Sequence, residues 1–269
     1  MKTEIQTYRE RQLMVGALAL LIHIVFGYIS SSAGAANGQD PRKIIKIIGA
    51  HLEGRLDEDP NSGYQLIIKA LLPTQTHYFQ FSRYPFTRAV RDFKNNTRVC
   101  IIPSSEKAVR ILTKDAKIEL LESSAIDVVT SHIISAPNKP VFTTVKALEK
   151  HTIAAQNGVV MSRFLREKST VQVTRTSNDL TALRMVLAGR VDAMYGWFPD
   201  IYIIAEKNGL SLPHFNPELI LFETTTHLVC KKFDGNEHLF TIVNTRINEL
   251  KRRGELQNIL GKHARIAED

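Results

Sequence analysis

Short apolar runs rich in β-branched residues alternate with amphipathic segments along most of this chain, and this alternation constrains its fold more than any other feature. Residues 43–50 (KIIKIIGA) form the first run and predict a buried strand. Apolar residues then recur at helical spacing between 64 and 71, until Pro73 ends the helix. Strands that alternate with helices predict parallel sheets with crossover helices, which is an α/β fold.

The alternation occurs in two sets, which predicts two lobes rather than one sheet. Further strands are predicted at residues 76–81, 98–102, 151–155, 170–174 and 191–195, and further helices at 87–95, 158–168, 178–188, 237–253 and 255–263. Two strand-like stretches, 122–136 and 219–232, pass between the sets. We therefore expect a discontinuous lobe one of residues 41–126 with 228–269, and a lobe two of residues 127–227.

The first forty residues have the pattern of an export signal. Lys2, Arg9 and Arg11 precede an apolar run at 13–29, and small residues follow it at 30–36. This order is typical of a secretory signal peptide of residues 1–35, cleaved after Ala35, and it predicts a periplasmic protein. An uncleaved membrane anchor is the alternative.

The charge pattern and the two cysteines argue against nucleic-acid and zinc binding, and they leave open whether a disulfide forms. The 269 residues have a formal net charge of +8. The basic residues are scattered and form no stripe interleaved with aromatic side chains, so we expect no nucleic-acid partner. Cys100 and Cys230 form no CxxC pair, so no zinc site is expected. Each lies in an apolar run, and the sequence does not decide between a disulfide and two buried thiols.

Residues 177–193 (SNDLTALRMVLAGRVDA) carry the strongest local signal. Asn178 is placed to cap a helix, Gly189 to end it in a left-handed turn, and Val191 to begin the next buried strand. The segment resembles the s-x-x-e-a-l-x-x-L-x-x-G-R-V-D-A stretch of the family 3 extracellular solute-binding proteins. Weaker likenesses to that family follow in its order at 62–72, 88–93, 99–105, 146–158 and 248–254, so the resemblance spans roughly residues 43–263.

This resemblance implies the type II periplasmic-binding protein fold: two α/β lobes, each a mainly parallel sheet flanked by helices, joined by two hinge strands. It also implies that a ligand is held in the cleft between the lobes. The amino-acid-binding members of the family place an Arg three residues after the Thr of an s-x-T turn, and this sequence has no clear match to it, although Lys107 and Arg110 lie near that place. The sequence departs from those members at two further positions. Trp197 stands where they place an acid for the α-ammonium group, and Val159 stands where Ser or Thr usually follows the lobe-two glycine. We therefore expect a ligand other than a standard α-amino acid.

Ligands of open α/β sheets bind beyond the carboxyl ends of the strands, and this rule selects candidate residues without reference to a family. The residues that it selects are His51, Glu53, Ser104, Gln156, Asn157, Gly158 and Trp197. The backbone N–H groups of Gly158 and Val159 are candidates for holding an anion at a helix N-terminus. Trp197 is a candidate aromatic wall. Arg88 and Arg110 are candidate clamps for a carboxylate.

Motifs of common enzymes are absent from the sequence, which contains no GxSxG, HExxH or GxGxxG. We therefore expect no enzyme activity, no cofactor and no metal. The predicted function is a monomeric periplasmic solute-binding protein that captures a small polar or anionic molecule for an ABC permease. The alternatives are a module that senses its ligand for a signalling partner, and a dehydratase-like periplasmic lyase on the same fold.

Overall fold

The computed structural model describes residues 44–72, 79–159 and 170–268. The predicted signal peptide lies outside the described residues, as does most of the helix predicted at 158–168. None of the described helices combines the length and the apolar composition that crossing a membrane requires.

Strands and helices alternate along the described chain. The strands are β1 (Ile45–Ala50), β2 (Phe79–Tyr84), β3 (Val99–Ser104), β4 (Leu120–Glu122), β5 (Asp127–Ser135), β6 (Thr152–Gln156), β7 (Gln172–Thr176), β8 (Ala193–Phe198), β9 (His214–Phe215), β10 (Phe222–Thr225), β11 (His227–Lys231) and β12 (Arg265–Ile266). The helices are α1 (Gly63–Leu71), α2 (Phe86–Asn95), α3 (Glu106–Thr113), α4 (Asp179–Leu187), α5 (Asp200–Lys207), α6 (Asn236–Arg252) and α7 (Glu255–Leu260), with a 3₁₀ turn at Lys146–Leu148.

The first sheet has the spatial order β2–β1–β3–β11–β4. Strand β1 runs parallel to β2 and β3, whereas β11 runs antiparallel to β3 and β4. Successive residues of β1 point to opposite faces, so Ile47 packs in the core with α1, α6 and α7, and Ile48 packs in the core with α2 and α3. Because helices cover both faces, β1 is apolar along most of its length.

The second sheet has the spatial order β10–β5–β8–β6–β7, and β9 and β12 also pair with β5. Strand β6 runs parallel to β7 and β8, whereas β5 is antiparallel to each of its partners. Met194 packs on one face with α4 and α5, and Tyr195 packs on the opposite face with Leu148. Each sheet is therefore the centre of its own two-sided core, and we call the two bodies the first lobe and the second lobe.

Two chain segments pass side by side between the sheets. Residues 123–126 connect β4 to β5, and Thr226 connects β10 to β11 on the return. The N–H of Ile126 donates to the carbonyl of Thr226 at 2.8 Å, and the N–H of Thr226 donates to the carbonyl of Asp127 at 2.8 Å. Near the chain end, β12 also joins β5 of the second sheet. The exact lobe boundaries drawn from the sequence stay a prediction.

The segment with the strongest sequence signal folds as its residues predict. The Asn178 Oδ1 atom accepts a hydrogen bond from the N–H of Thr181 at 2.8 Å and so caps α4. Gly189 follows the helix with a φ of 66°, the left-handed conformation that glycine adopts at little cost.

Several element boundaries differ from the predicted ones. Strands β2, β7 and β8 each end two or three residues later than predicted. In β8 the antiparallel pairing with β5 continues to Phe198, which lies opposite Thr130, and this ladder extends the strand beyond its apolar run. Helix α3 was not predicted, although Ser105 caps it by accepting from the N–H of Ala108 at 3.2 Å.

Cys100 and Cys230 lie opposite each other on β3 and β11 and form a fully buried disulfide. The two residues are 130 apart in the sequence, so the cross-link closes a loop that contains strands β4 to β10. Of the two states that the sequence leaves open, the structure therefore has the disulfide.

Removal of this disulfide is expected to lower the free energy of unfolding by about 2–5 kcal/mol, since a long loop loses its cross-link in the unfolded chain. Urea unfolding of the Cys100→Ala/Cys230→Ala double variant, with and without reductant, measures the effect. Reductant should lower the midpoint of the wild type and leave that of the double variant unchanged. Equal midpoints for the two proteins under oxidising conditions would contradict the prediction.

Candidate functional site

A pocket lies where strands of the two sheets end, between the lobes. Its lining residues come from the loop after β1, the end of β6, the start of α4 and α5: they are His51, Leu52, Glu53, Gln156, Asn178, Asp179, Asp200 and Ile204. We call it the interlobe pocket. Its enclosed volume is about 10 Å³, which is room for about one water molecule; the empty space is about 270 Å³ when the open solvent at the mouth is included.

The first lobe contributes a tight loop that follows β1. The N–H of Leu56 donates to the carbonyl of Leu52 at 2.7 Å, and this bond closes the turn. Gly54 within the turn has a φ of 78°, and its N–H donates to the carboxylate of Asp57 at 2.7 Å. The turn directs Glu53 to the pocket, where its carboxylate lies 3.5 Å from the Nε2 atom of His51.

The second lobe contributes the ends of three strands. Gln156 is the last residue of β6, and Asp179 begins α4 three residues after Thr176, the last residue of β7. Asp200 begins α5 soon after β8. Because β6 is parallel to β7 and β8, the carboxyl ends of these strands meet at one edge of the sheet, which brings their following residues together.

Arg55 lies behind the pocket and connects the two lobes. Its guanidinium is 2% exposed and donates from Nη1 to the Oδ1 atom of Asp200 at 2.7 Å. From Nη2 it donates to the Oδ2 atom of Asp127, which begins β5 and is 0% exposed. The Tyr64 hydroxyl donates to the other oxygen of Asp127 at 2.5 Å, and the Thr226 hydroxyl donates to that same oxygen. A single cation thus joins the first lobe, the crossing segments and α5.

The electrostatics of this network keep Arg55 charged. Burial by itself would lower the pKa of Arg55, but the carboxylates of Asp127 and Asp200 outweigh burial and raise the pKa well above its ordinary value. Burial and the charge of Asp127 also raise the pKa of Tyr64, so its hydroxyl stays a hydrogen-bond donor. The carboxylates depend on Arg55 in turn, because a buried charge without a partner is costly.

A second ion pair joins the lobes at the rim. Lys207 on α5 donates from Nζ to the Oδ2 atom of Asp57 at 2.5 Å. Burial would raise the pKa of Asp57, yet the hydrogen bonds from Lys207 and from the N–H groups of Gly54 and Asp59 lower it. The lobes also touch through apolar atoms, since a Cβ placed on Gly54 would lie 2.7 Å from the Cγ2 atom of Ile203.

Two polar side chains of the pocket have no partner among the described residues. Gln156 is 8% exposed, and its side-chain amide makes no hydrogen bond there. The Asp179 carboxylate, partly buried, has neither a hydrogen bond nor an ion pair in that part of the chain. Burial, with the nearby charge of Asp200, raises the pKa of Asp179 to about 7. The largely buried Gln156 amide is therefore free to bond an outside partner, and the partly buried Asp179 carboxylate lines the same pocket.

The structure brings some of the predicted site residues together and not others. His51, Glu53 and Gln156 all line the interlobe pocket, and their role in binding stays a prediction. Asn157 and Gly158 follow Gln156 at its edge and are exposed, with the N–H of Asn157 donating to the carbonyl of Thr176 at 2.9 Å. Val159 is described, but the helix that was predicted after it lies outside the described residues.

The remaining predicted residues lie away from this pocket. Trp197 packs edge-on against the rings of Tyr195 and Phe222, with centroid distances of 6.2 and 6.0 Å. Ser104 ends β3 and is partly buried. Arg88 stacks on Tyr84, and the guanidinium of Arg110 binds the Glu106 carboxylate at 2.8 Å.

Arg110 is also bound by backbone oxygens. Its Nη1 atom donates to the carbonyl oxygens of Ala116 and Ile118 at 2.7 and 2.9 Å. Its Nη1 donors are therefore bound to the backbone just after its own helix. A role as an anion clamp would require these hydrogen bonds to break.

Sequence reasoning missed Asn178, Asp179 and Asp200 as pocket residues. The signal was present, because each follows the carboxyl end of a parallel strand, but Asn178 and Asp179 were interpreted only as the start of a helix. Arg55 was missed as well, since a loop arginine gives no sequence sign of burial. Among the described residues, no group of three or more metal-ligating side chains is arranged to hold a metal ion.

Comparison with known proteins gives likenesses in structure. No family model and no curated protein matches the sequence. ArgBP from T. maritima superposes with a TM-score of 0.63 at 16% identity, covering 82% of this chain and 95% of that one. The GluR0 ligand-binding core from Nostoc punctiforme, in complex with L-glutamate, gives 0.64 at 13% identity, with 80% and 96% covered. The substrate binding protein of an amino acid ABC transporter gives 0.60 at 14% identity, with 82% and 98% covered.

These likenesses extend over nearly the whole length of each of the compared proteins. At identities of 16% or lower they establish the fold, and with the two sheets described above they confirm the predicted class. The chain has the two-lobed α/β architecture of the type II periplasmic-binding proteins.

Replacement of Arg55 by methionine is expected to cost about 3–5 kcal/mol of stability, because Asp127 and Asp200 would stay buried without their cation. Thermal and urea unfolding measure the loss. Arg253→Met is the matched control: Arg253 is exposed, 3.8 Å from Glu255, and its replacement should cost less than about 1 kcal/mol. Equal losses in the two variants would show that the buried network does not stabilise the fold.

Asp179→Asn is expected to stabilise the protein at high pH and not at low pH. The raised pKa of Asp179 means that the folded state keeps this proton up to about 7, whereas the unfolded chain releases it near the ordinary value of 3.8. Stability of the wild type therefore falls as pH rises through that window, and asparagine, which never ionises, avoids the fall. Because the group is only partly buried, we expect a gain of roughly 1–3 kcal/mol at about pH 8.

Thermal unfolding of both proteins across the pH range provides the measurement. The two curves should meet near pH 4 and separate as the pH approaches neutrality. A difference in melting temperature between the two proteins that is the same at every pH would show that ionisation of Asp179 does not cause the stabilisation.

Proposed function

We propose that this protein is a solute-binding protein whose two lobes close on a small polar molecule in the interlobe pocket. The observation that carries the proposal is the pair of unpartnered polar groups, the Gln156 amide and the Asp179 carboxylate, at a point where both lobes contribute walls. A ligand that bonds both groups supplies partners that the described part of the chain does not offer them.

The size of the pocket supports a clamp. Its enclosed volume of about 10 Å³ holds about one water molecule, so a solute enters only when the lobes separate, and they then close around it. The crossing segments at 123–126 and Thr226 are short and adjacent, and are suited to act as the hinge of such a motion. Contacts between the lobes, above all Arg55 with Asp200 and Lys207 with Asp57, then stabilise the closed form.

The proposed location is the periplasm, after removal of residues 1–35. The buried disulfide of Cys100 and Cys230 supports it, because disulfides persist in oxidising compartments such as this one. We propose that the chain works as a monomer, without cofactor or chemical step, and delivers its solute to an ABC permease. One of the structural neighbours is such a transporter's substrate binding protein, at 14% identity.

The test is a thermal-shift screen of the exported protein against a broad panel of polar metabolites. A ligand at a hundredfold excess over its dissociation constant should stabilise the protein by about 2.7 kcal/mol and raise the melting temperature in a concentration-dependent way. Small-angle scattering should then show a smaller radius of gyration in the complex. A panel that leaves the melting temperature unchanged throughout would overturn the proposal.

Gly158→Ala separates clamp closure from general stability. At Gly158, whose φ is 84°, an added Cβ would lie 2.8 Å from the Oγ1 atom of Thr87 and 3.0 Å from the Phe86 ring, both in the first lobe. Gly189, with a φ of 66°, has nothing within 4 Å of an added Cβ. Both alanine variants strain the backbone by about 1–2 kcal/mol, but only Gly158→Ala obstructs the closed form. We expect it to weaken ligand binding about tenfold, and Gly189→Ala to leave binding unchanged.

A further inference from the structure

The charges around the interlobe pocket are predominantly negative. Glu53, Asp179 and Asp200 line it, and Asp127 lies behind Asp200. Against these four carboxylates stands Arg55, whose two terminal nitrogens are bound to Asp200 and Asp127.

The other nearby basic groups do not reverse this balance. His51 lies between two carboxylates, 3.5 Å from Glu53 and 3.7 Å from Glu58. Lys207 is bound to Asp57. Arg175 on β7 donates from Nη1 to the backbone carbonyl of Gln156 at 3.1 Å. With His51 and Arg175 both counted as cations, the acids that line or adjoin the pocket still outnumber the cations.

We propose that the interlobe pocket binds a cationic nitrogen, an ammonium or a guanidinium group, with the Asp179 carboxylate as its counter-ion and the Gln156 amide oxygen as a second acceptor. This inference rests on the proposed solute-binding function and names its ligand class. A cation supplies the donors that both unpartnered groups accept, and it offsets the repulsion between Asp179 and Asp200.

An anionic ligand fits this pocket poorly. The start of α4 would attract an anion through its free N–H groups, but the first residue of that helix is Asp179 itself. The N–H of Thr181 is already bound to Asn178, and α5 likewise begins with the carboxylate of Asp200. An anion at the start of α4 would therefore meet Asp179, which is ionised above about pH 7, and an anion at the start of α5 would meet the carboxylate of Asp200.

The state of Asp179 makes the affinity depend on pH. Titratable groups surround it: Asp200 from α5, Glu53 and His51 from the loop after β1, and the hydroxyl of Tyr195 from β8. Because its pKa is raised, the carboxyl group of Asp179 is largely protonated below neutral pH in the ligand-free protein. A bound cation favours the ionised carboxylate, so affinity should fall about tenfold per pH unit on the acid side.

The experiment compares probes that differ only in charge, measured by isothermal titration calorimetry at about pH 8. The pairs are butylguanidine with butylurea, and putrescine with 1,4-butanediol, and succinate is the anionic probe. A cationic member should bind at least tenfold more tightly than its neutral partner, with succinate the weakest. Equal or tighter binding by the neutral or anionic members would overturn the inference.

Variants identify the residue that is responsible. Asp179→Asn should weaken binding of the cationic probe at least tenfold and abolish its pH dependence, whereas Asp179→Glu should restore part of both. Asp234→Asn removes the same charge from an exposed position outside the pocket lining and should leave binding unchanged. Equal effects of Asp179→Asn and Asp234→Asn would show that only the net charge matters and would overturn the role of Asp179.

The failure of this inference is distinguishable from the failure of the proposed function. If no cationic probe binds, but the broad metabolite panel yields a neutral or anionic ligand, the ligand class is wrong and the solute-binding function stands. If both panels leave the protein unchanged, both proposals fail together.

Discussion

The guanidinium of Arg55 holds two carboxylates that belong to different parts of the molecule. Asp127 begins β5 of the second sheet beside the crossing segments, and Asp200 begins α5. Removing this cation would leave both acids buried in mutual repulsion, at a cost comparable with a large share of the stability of a small protein. Because a planar guanidinium accepts few geometries, the pair also sets how the lobes meet, which apolar contacts alone would specify less strictly.

The same interaction determines the character of the pocket. The loop that carries Arg55 inward turns Glu53 toward the cavity two residues earlier, and Asp200 is at once the partner of Arg55 and a pocket wall. The charge of Arg55 is therefore used by Asp127 and Asp200, and Arg55 does not neutralise the Glu53 and Asp179 carboxylates that also line the pocket. Stabilising the closed lobes and creating an acidic cavity are therefore two consequences of one arrangement, since a ligand cation can supply on the pocket side what Arg55 supplies behind it.

Patterns that depend on neighbouring residues could be predicted, and contacts between distant ones could not. The two-sided strands, the two α/β sets and the Asn178 cap follow from local periodicity and from capping chemistry. The disulfide of Cys100 and Cys230 depends on the register of β11 against β3, which no local pattern reveals. In the site, the strand-end rule selected His51, Glu53 and Gln156, which line the pocket. It did not select Asp179, because an acid at the start of a helix is usually explained by the helix dipole alone, and so its place in the pocket was not considered. The role of Arg55 could not be predicted from local sequence patterns, because burial of a loop arginine depends on partners that are far away along the chain.

The net charge of the chain and the charge of the pocket have opposite signs, and the difference is physical. A formal charge of +8 is spread over exposed lysines and arginines, and water with physiological salt screens each of them beyond about 8 Å. The carboxylates at the pocket lie within a few ångströms of any bound group and are partly removed from water, so their fields are much less attenuated. An inference from total charge therefore favours an anionic ligand, whereas the local field favours a cation. The local field governs affinity, because binding is decided at contact distance, while the distant surface charge affects at most the approach of a solute to the open cleft.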